Sequence, residues 1–320
     1  MLAAPLGRGY APAIVSTTQT SASATVLQVL GLTALIWDGH TTREAALAGR
    51  MKSGAERALK SHLAVGDRVT FEEGAPPRIV AVAPRNTTLE RAATGAQGRD
   101  LTQVIASNAQ QAMIVSSLAD PPLRPGLIDR WTLLALRGGM EPLLCLNKVD
   151  LGTPAEARRV VAEASIPLPT FFVSAETDYG LELLRDRLAG RSTVLVGHSG
   201  VGKSSLLRRL LPDADAAVGE LSEKTKKGRH TTSGARLYPL PEGGVLIDTP
   251  GVRSVVLGRT TAEEVAGVFL EIAEAPPCRF RPCSHRAEPG CSVLAALESG
   301  AMLPAVYHRY RKLLEEVVLP

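Results

Sequence analysis

Apolar positions along this chain change their spacing from one region to the next, and each change predicts a different architecture. From residue 24 to 84 the runs are short and β-like: Thr25–Leu30, Thr33–Trp37, Arg68–Phe71 and Arg78–Ala83, parted by turn pairs such as Asp38-Gly39 and Gly66-Asp67. Strands this short and closely spaced predict a small barrel of the OB or SH3 kind, with a plain β-structured linker as the alternative. From residue 85 to 260 strand and helix patterns alternate. Gln111–Ser116, Pro142–Leu146, Phe171–Val173, Thr193–Val196 and Gly244–Ile247 read as strands, and Leu127–Arg137 has helical spacing. Such alternation predicts a mostly parallel sheet covered by helices on both faces. Residues 261–320 begin helical, pass through a Cys/His cluster and end in a helix near Pro304–Val318. Residues 1–23, rich in Ala, Pro, Ser and Thr with Arg8 as the only charge, read as a flexible tail.

Composition narrows the class. A length of 320 residues suits two or three domains, and 45% hydrophobic with 21% charged residues is ordinary for a globular protein. Aromatics make up 4%, too few for a broad stacking surface for single-stranded RNA, while a net charge of +4 permits a polyanionic partner. No run reaches the roughly 18 apolar residues of a bilayer span. Segment 24–37 comes closest, but Thr25, Gln28, Gly31 and Thr33 interrupt it. No signal peptide is visible, so a cytoplasmic protein without disulfides and without a membrane is expected.

The most specific chemistry is Gly197-His198-Ser199-Gly200-Val201-Gly202-Lys203-Ser204, followed by Ser205, between the strand Thr193–Val196 and a helix at Ser205–Leu211. In that context glycines let backbone N–H groups converge on phosphate oxygens beside a helix N-terminus. Lys203 is expected to reach the β- and γ-phosphates, and the Ser204 hydroxyl to ligate Mg²⁺. Asn147-Lys148-Val149-Asp150 selects the base. A carboxylate at Asp150 can accept from the ring N–H and the exocyclic amine of guanine. Adenine has neither donor, and a buried group left unpaired in this way rejects a ligand by roughly 10⁴-fold. Asn147 can brace the loop, the Lys148 stem can lie over the ring, and Ser174-Ala175-Glu176 matches a second base loop.

Asp248-Thr249-Pro250-Gly251 is placed to hold Mg²⁺ through Asp248 and the γ-phosphate through the Gly251 N–H. In the polar loop Lys227–Thr232, Thr231 and Thr232 both qualify to close on Mg²⁺, and Thr232 is preferred. Many GTPases carry a water-orienting glutamine just after Asp-x-x-Gly. Val252 stands there and cannot hydrogen-bond, so His230 is the candidate to position the water. The expected catalytic set is therefore Lys203, His230, Thr232 and Gly251. The order of segments is itself informative: the base-reading motifs precede the phosphate loop, as in a GTPase whose usual termini are joined and whose chain is cut elsewhere.

Cys278, Cys283, His285 and Cys291 form C-x₄-C-x-H-x₅-C, a closed set for structural Zn²⁺. Cys145 lies in an apolar run and reads as a buried small hydrophobe. Arg279, Arg281, Arg286, His308, Arg309, Arg311 and Lys312 make the most basic region of the chain.

These motifs in this order resemble the small ribosomal subunit biogenesis GTPases, the RsgA family, over nearly the whole chain. The resemblance is carried by Asn147–Asp150, Gly197–Ser205, Gly228-Arg229-His230-Thr231-Thr232, Asp248–Gly251 and the zinc set within Cys278–Cys291. It implies a multidomain α/β protein: an N-terminal OB-fold, a circularly permuted P-loop GTPase domain and a helical zinc-binding C-terminal domain. It further implies GTP and GDP as ligands, contact with the small ribosomal subunit and its rRNA, and hydrolysis stimulated by that subunit. The sparsely charged segment 1–23 departs from a basic amino-terminal arm. The readings set beside this are a permuted GTPase of another RNA–protein assembly and an RNA-binding adaptor with a structural nucleotide. Nothing demands a dimer, so a monomer is expected.

Overall fold

The computed structural model describes residues 21–48, 63–94, 100–212, 234–250 and 255–317. Its first strands are β1 (Ser21–Val29), β2 (Thr33–Trp37), β3 (Thr42–Leu47), β4 (Arg68–Glu72) and β5 (Arg78–Val82). They run in the order β1-β2-β3-β5-β4, and β4 pairs back onto β1. Only β3 and β5 pair in parallel. A five-stranded barrel closed this way is an OB-fold. Alternation supplies its core: Ala24 and Val26, Ala34 and Ile36, Val69 and Phe71 point inward from β1, β2 and β4. β1 reaches back into the stretch expected as tail, because Ser21, Ala22 and Ser23 pair with Glu72, Phe71 and Thr70. Small residues carry little apolar period, so the partner strand, not the pattern, defines that start. β3 is equally quiet in sequence, since Ala45 is its one buried residue.

A hairpin of β6 (Thr88–Thr94) and β7 (Asp100–Ser107) follows, where the sequence pattern predicts strand–helix alternation. It is tied to the barrel by polar contacts. Asp67 is fully buried and accepts from Arg85 Nε at 2.7 Å, Arg85 Nη2 at 2.8 Å, the Ala64 N–H at 2.8 Å and the Ser107 hydroxyl at 2.6 Å. Beside it Gly66 has φ +90°, and a Cβ there would stand 2.2 Å from the Ser107 carbonyl oxygen, so the close approach requires glycine.

The alternating region contains β8 (Gln111–Ser117), α1 (Pro125–Arg137), β9 (Glu141–Asn147), α2 (Pro154–Glu163), β10 (Thr170–Phe172), α3 (Leu181–Leu188), β11 (Ser192–Gly197), α4 (Lys203–Leu210), β12 (Arg236–Pro239) and β13 (Val245–Asp248). The strands order as β10-β9-β8-β11-β13-β12, parallel throughout except for β12. Successive residues of the central strands feed opposite cores. Ala112, Ile114, Leu144 and Leu146 pack with α1 and α2, whereas Met113, Val115, Leu143 and Cys145 pack with α3 and α4. Cys145 is wholly buried and burial pushes its thiol up to about 12, so it behaves as the small hydrophobe its surroundings suggest. The sheet continues into the barrel where β12 pairs with β1 at Gln28 and Arg236.

The C-terminal helices α5 (Ala262–Ala266), α6 (Leu270–Ala273), α7 (Ser292–Glu298) and α8 (Pro304–Val317) share a core with α1. α5 opens with the same device as α2, a Thr-x-x-Glu capping box, Thr261 with Glu264 and Thr153 with Glu156. Phe269 and Tyr310 meet edge to face at 5.7 Å. Arg309 of α8 donates to Asp129 of α1 at 2.9 Å and to the Ala164 and Ser165 carbonyls that end α2. Burial pushes Asp129 up to about 6, and the Arg309 charge pulls against that rise.

Removing a buried ion-pair partner strands the other charge, so Asp67→Ala is expected to cost about 3–5 kcal/mol. Urea unfolding should show this as a lowered midpoint, while Glu73→Ala, at an exposed pair with Arg43, should leave the midpoint unchanged.

Candidate nucleotide and metal sites

Register brings the candidate residues together. Ser117 lies beside Asn147, Val115 beside Gly197, and Leu195 beside Asp248, so the turns after β8, β9, β11 and β13 open along one edge of the sheet. That edge, at the carboxyl ends of parallel strands, is where doubly wound sheets bind ligands. After β11 the chain turns through Gly197, Gly200 and Gly202 at φ +146°, +86° and +91°. A Cβ on Gly197 would meet the Val115 carbonyl oxygen at 2.2 Å, and one on Gly202 would meet Asn147 Nδ2 at 2.3 Å. Glycine is thus required by the sheet below and by the neighbouring loop. α4 starts at Lys203, two residues earlier than the apolar spacing suggests, with Ser204 and Ser205 exposed in its first turn.

Lys203 is 7% exposed, and its ammonium donates to the Gly197 and His198 carbonyls, both at 2.9 Å. Burial lowers its pKa and the Asp248 carboxylate opposes that. Asp248 is raised by burial, against the Lys203 charge and the Thr249 N–H. Each charge therefore helps the other stay ionised in a poorly solvated place. Thr249 anchors the turn after β13 by donating its hydroxyl to the Leu195 carbonyl at 2.5 Å.

Asn147 joins the loops. It is 1% exposed, donates from Nδ2 to the Val201 carbonyl at 3.0 Å and accepts at Oδ1 from the Ala175 N–H at 3.1 Å. Next to it Lys148 takes φ +60° and donates from Nζ to the Asp120 carbonyl. Val149 is buried and its N–H donates to the Val173 carbonyl at 3.2 Å, so it holds the turn from below. Asp150 stays exposed, its carboxylate accepting from the Ser174 hydroxyl. Ser199 and Gly200 are exposed at the loop tip, and His198 Nε2 lies 3.4 Å from Arg124 Nη1. His230, Thr231, Thr232 and Gly251 fall outside the described residues, as do Lys227–Arg229 and Val252.

Residues 82–258 match the family described as RsgA GTPase. The chain belongs to this family. It is 38% identical over 309 residues to the small ribosomal subunit biogenesis GTPase RsgA of Gemmatimonas aurantiaca, covering 93% of this chain and 98% of that protein. It is 41% identical over 277 residues to the RsgA of Ectopseudomonas mendocina, covering 84% of this chain and 79% of that one. Among solved structures, YjeQ from Thermotoga maritima aligns with a TM-score of 0.71 at 26% identity, over 94% of this chain and all 100% of that one. YloQ, titled a circularly permuted GTPase, aligns with a TM-score of 0.67 at 23% identity over 94% and 96% of the two chains, which speaks for the fold alone.

This RsgA-family chain also gathers its three C-terminal cysteines and a histidine. The ligand atoms of Cys278, Cys283, His285 and Cys291 all lie within 4.8 Å of one another. Cys278 Sγ stands 3.8 Å from Cys291 Sγ and 3.6 Å from His285 Nδ1, which is 3.3 Å from Cys291 Sγ. A tetrahedron with Zn–S bonds near 2.3 Å has S–S edges of about 3.8 Å, so donors and spacing both fit a structural zinc ion. The Tyr307 hydroxyl donates to the His285 carbonyl at 2.7 Å and steadies that ligand.

The motifs do not announce every residue at the nucleotide edge. Arg209, in the last turn of α4, donates to the Ala175 carbonyl at 2.9 Å and the Glu176 carbonyl at 3.3 Å. In sequence it is an ordinary basic residue near a helix C-terminus. Arg124 and Asp120 sit in a Pro-rich turn whose only sequence signal is that it follows β8.

Proposed function

We propose that the chain hydrolyses GTP to GDP and phosphate and uses this reaction to time a late step in assembly of the small ribosomal subunit. The reading is carried by one observation: Asn147 joins the phosphate loop and the second base loop through a single buried side chain. Segments met in permuted order are thereby held together, which supports reading them as one guanine-nucleotide site. The curated relatives are named small ribosomal subunit biogenesis GTPases, which supports the assignment of partner.

In this reading Asp150 accepts from the guanine N–H groups, Lys148 covers the ring and the base loop at Ser174 and Ala175 meets the guanine oxygen. Gly197–Ser205 cradle the phosphates. Ser204, Asp248 and Thr232 would hold Mg²⁺, whose role is to neutralise charge on the phosphate oxygens. The Gly251 N–H and Lys203 would bond the γ-phosphate, and His230 would orient the attacking water in the complex with the subunit. Zn²⁺ at Cys278, Cys283, His285 and Cys291 would hold the C-terminal helices in shape, with the arginines around it available to rRNA phosphates. The proposed division is a barrel up to residue 84, a GTPase domain over 85–260 and a zinc-binding domain over 261–320. The protein is proposed to act as a cytoplasmic monomer. Among the described residues no helix is long and apolar enough to cross a membrane.

Phosphate release should be slow in the isolated protein, roughly 10⁻⁴–10⁻² per second, and rise strongly with purified small subunits. Lys203→Ala should abolish both rates; turnover indifferent to small subunits would count against the assigned partner. His230→Ala should remove the stimulated rate while GDP affinity, measured by titration, stays within about twofold. Unchanged stimulation would take His230 out of the mechanism. Metal analysis of purified protein should find one zinc per chain, lost in Cys283→Ser combined with Cys291→Ser together with part of the helical circular dichroism.

A further inference from the structure

We propose that Arg209 is a positioning residue for guanine selectivity, acting on Asp150 from the helix that carries the phosphate loop. The inference rests on the guanine-nucleotide reading above. Its basis is the geometry of two successive peptide planes. Arg209 Nε holds the Ala175 carbonyl at 2.9 Å and Nη2 holds the Glu176 carbonyl at 3.3 Å. In a trans peptide the carbonyl and the following N–H point in opposite directions. Pinning these two carbonyls towards α4 therefore turns the Glu176 and Thr177 N–H groups the other way. Both donate to one atom, Ser174 Oγ, at 3.2 and 3.1 Å.

With its lone pairs taken by two N–H donors, the Ser174 hydroxyl is left to donate its proton, and it does so to Asp150 Oδ1. The result is a directed chain from guanidinium to carbonyls, to N–H groups, to hydroxyl, to carboxylate. It fixes one Asp150 oxygen and the rotation of the carboxylate, leaving lone pairs for the base. Arg185 supports the far end by donating to the Arg209 carbonyl at 2.8 Å. Asp178, 3.5 Å from Arg209 Nε, is an exposed and loose partner, so the backbone carbonyls are what the fork grips. A planar fork suits two carbonyls in a way that a lysine ammonium does not.

The experiment compares GDP with inosine diphosphate, which lacks the exocyclic amine that Asp150 would read. Dissociation constants for both are measured on the full chain by competition with a fluorescent GDP. One charge-assisted hydrogen bond corresponds to a preference of about 30-fold for GDP in the unaltered protein. Arg209→Ala should reduce it to about threefold, and Arg209→Lys, which can hold one carbonyl, should fall between. A residue that merely stabilises the fold would raise both constants together and leave their ratio alone, and that result overturns the proposal. Asp150→Asn is the control. If it erases the preference and Arg209→Ala does not, the relay is wrong while the guanine site stands. If Asp150→Asn keeps the preference, the guanine reading itself is wrong and the relay goes with it.

Discussion

A buried primary amide must find a partner for its oxygen and another for its nitrogen, and Asn147 does so by tying loops together. Its Nδ2 takes the Val201 carbonyl and its Oδ1 takes the Ala175 N–H, partners that lie 54 and 28 positions away. Aspartate could not donate there, and a shorter side chain would leave both backbone groups orphaned. Gly202 is bound to the same constraint, because any Cβ would occupy the space of the Asn147 amide. This explains how a permuted chain order can be accommodated. The loops are fixed by contacts made in space at the carboxyl edge of one parallel sheet, and those contacts are indifferent to which segment is translated first.

Permutation does alter what lies downstream. After β13 the chain enters the C-terminal helices, and these are not loosely appended. Arg137 at the end of α1 donates to the Leu257 carbonyl at 2.9 Å and the Arg259 carbonyl at 3.2 Å, holding the connection against that helix. Arg309 reaches across to α1 and the end of α2, and Phe269, Tyr310 and Leu313 join the same core as Trp131 and Ile128. A displacement of the turn after β13 is therefore resisted by a packed apolar interface as well as by polar ties.

The parts of this architecture that repeat a local rule were legible in the sequence. β2 matches its apolar run residue for residue, and the phosphate loop is recognisable because glycine is forced at its turns. What stayed hidden depends on partners distant in sequence. The start of β1 and all of β3 are stabilised by neighbouring strands rather than by their own apolar content. The β6–β7 hairpin was hidden for a further reason, since Thr, Arg, Gln and Ala leave its two strands without a sustained apolar run. In the site, residue types and order could be read directly, whereas the bracing by Arg209 could not, because an arginine that grips backbone carbonyls leaves no requirement on the sequence of its partners.

The barrel is joined to this system by a strand, not by a tether. β12 lies between β13, which carries Asp248, and β1, which opens the barrel, so the two sheets form one continuous ladder. The link is narrow, a single registered pair at Gln28 and Arg236, while β12 and β13 pair over four positions. The second tie, Ser107 and Asn108 against Val65 and Gly66, attaches the barrel to the chain just before β8, at the opposite end of that strand from the nucleotide edge. The barrel is thus tied near the sheet's amino-terminal edge, shares a core with β13 through Val65 and Ile247, and joins β12 through β1. That arrangement connects the nucleotide edge to the barrel through the sheet itself, apart from the helices that carry the Cys/His cluster. The barrel and the C-terminal helices therefore adjoin the alternating region by separate contacts.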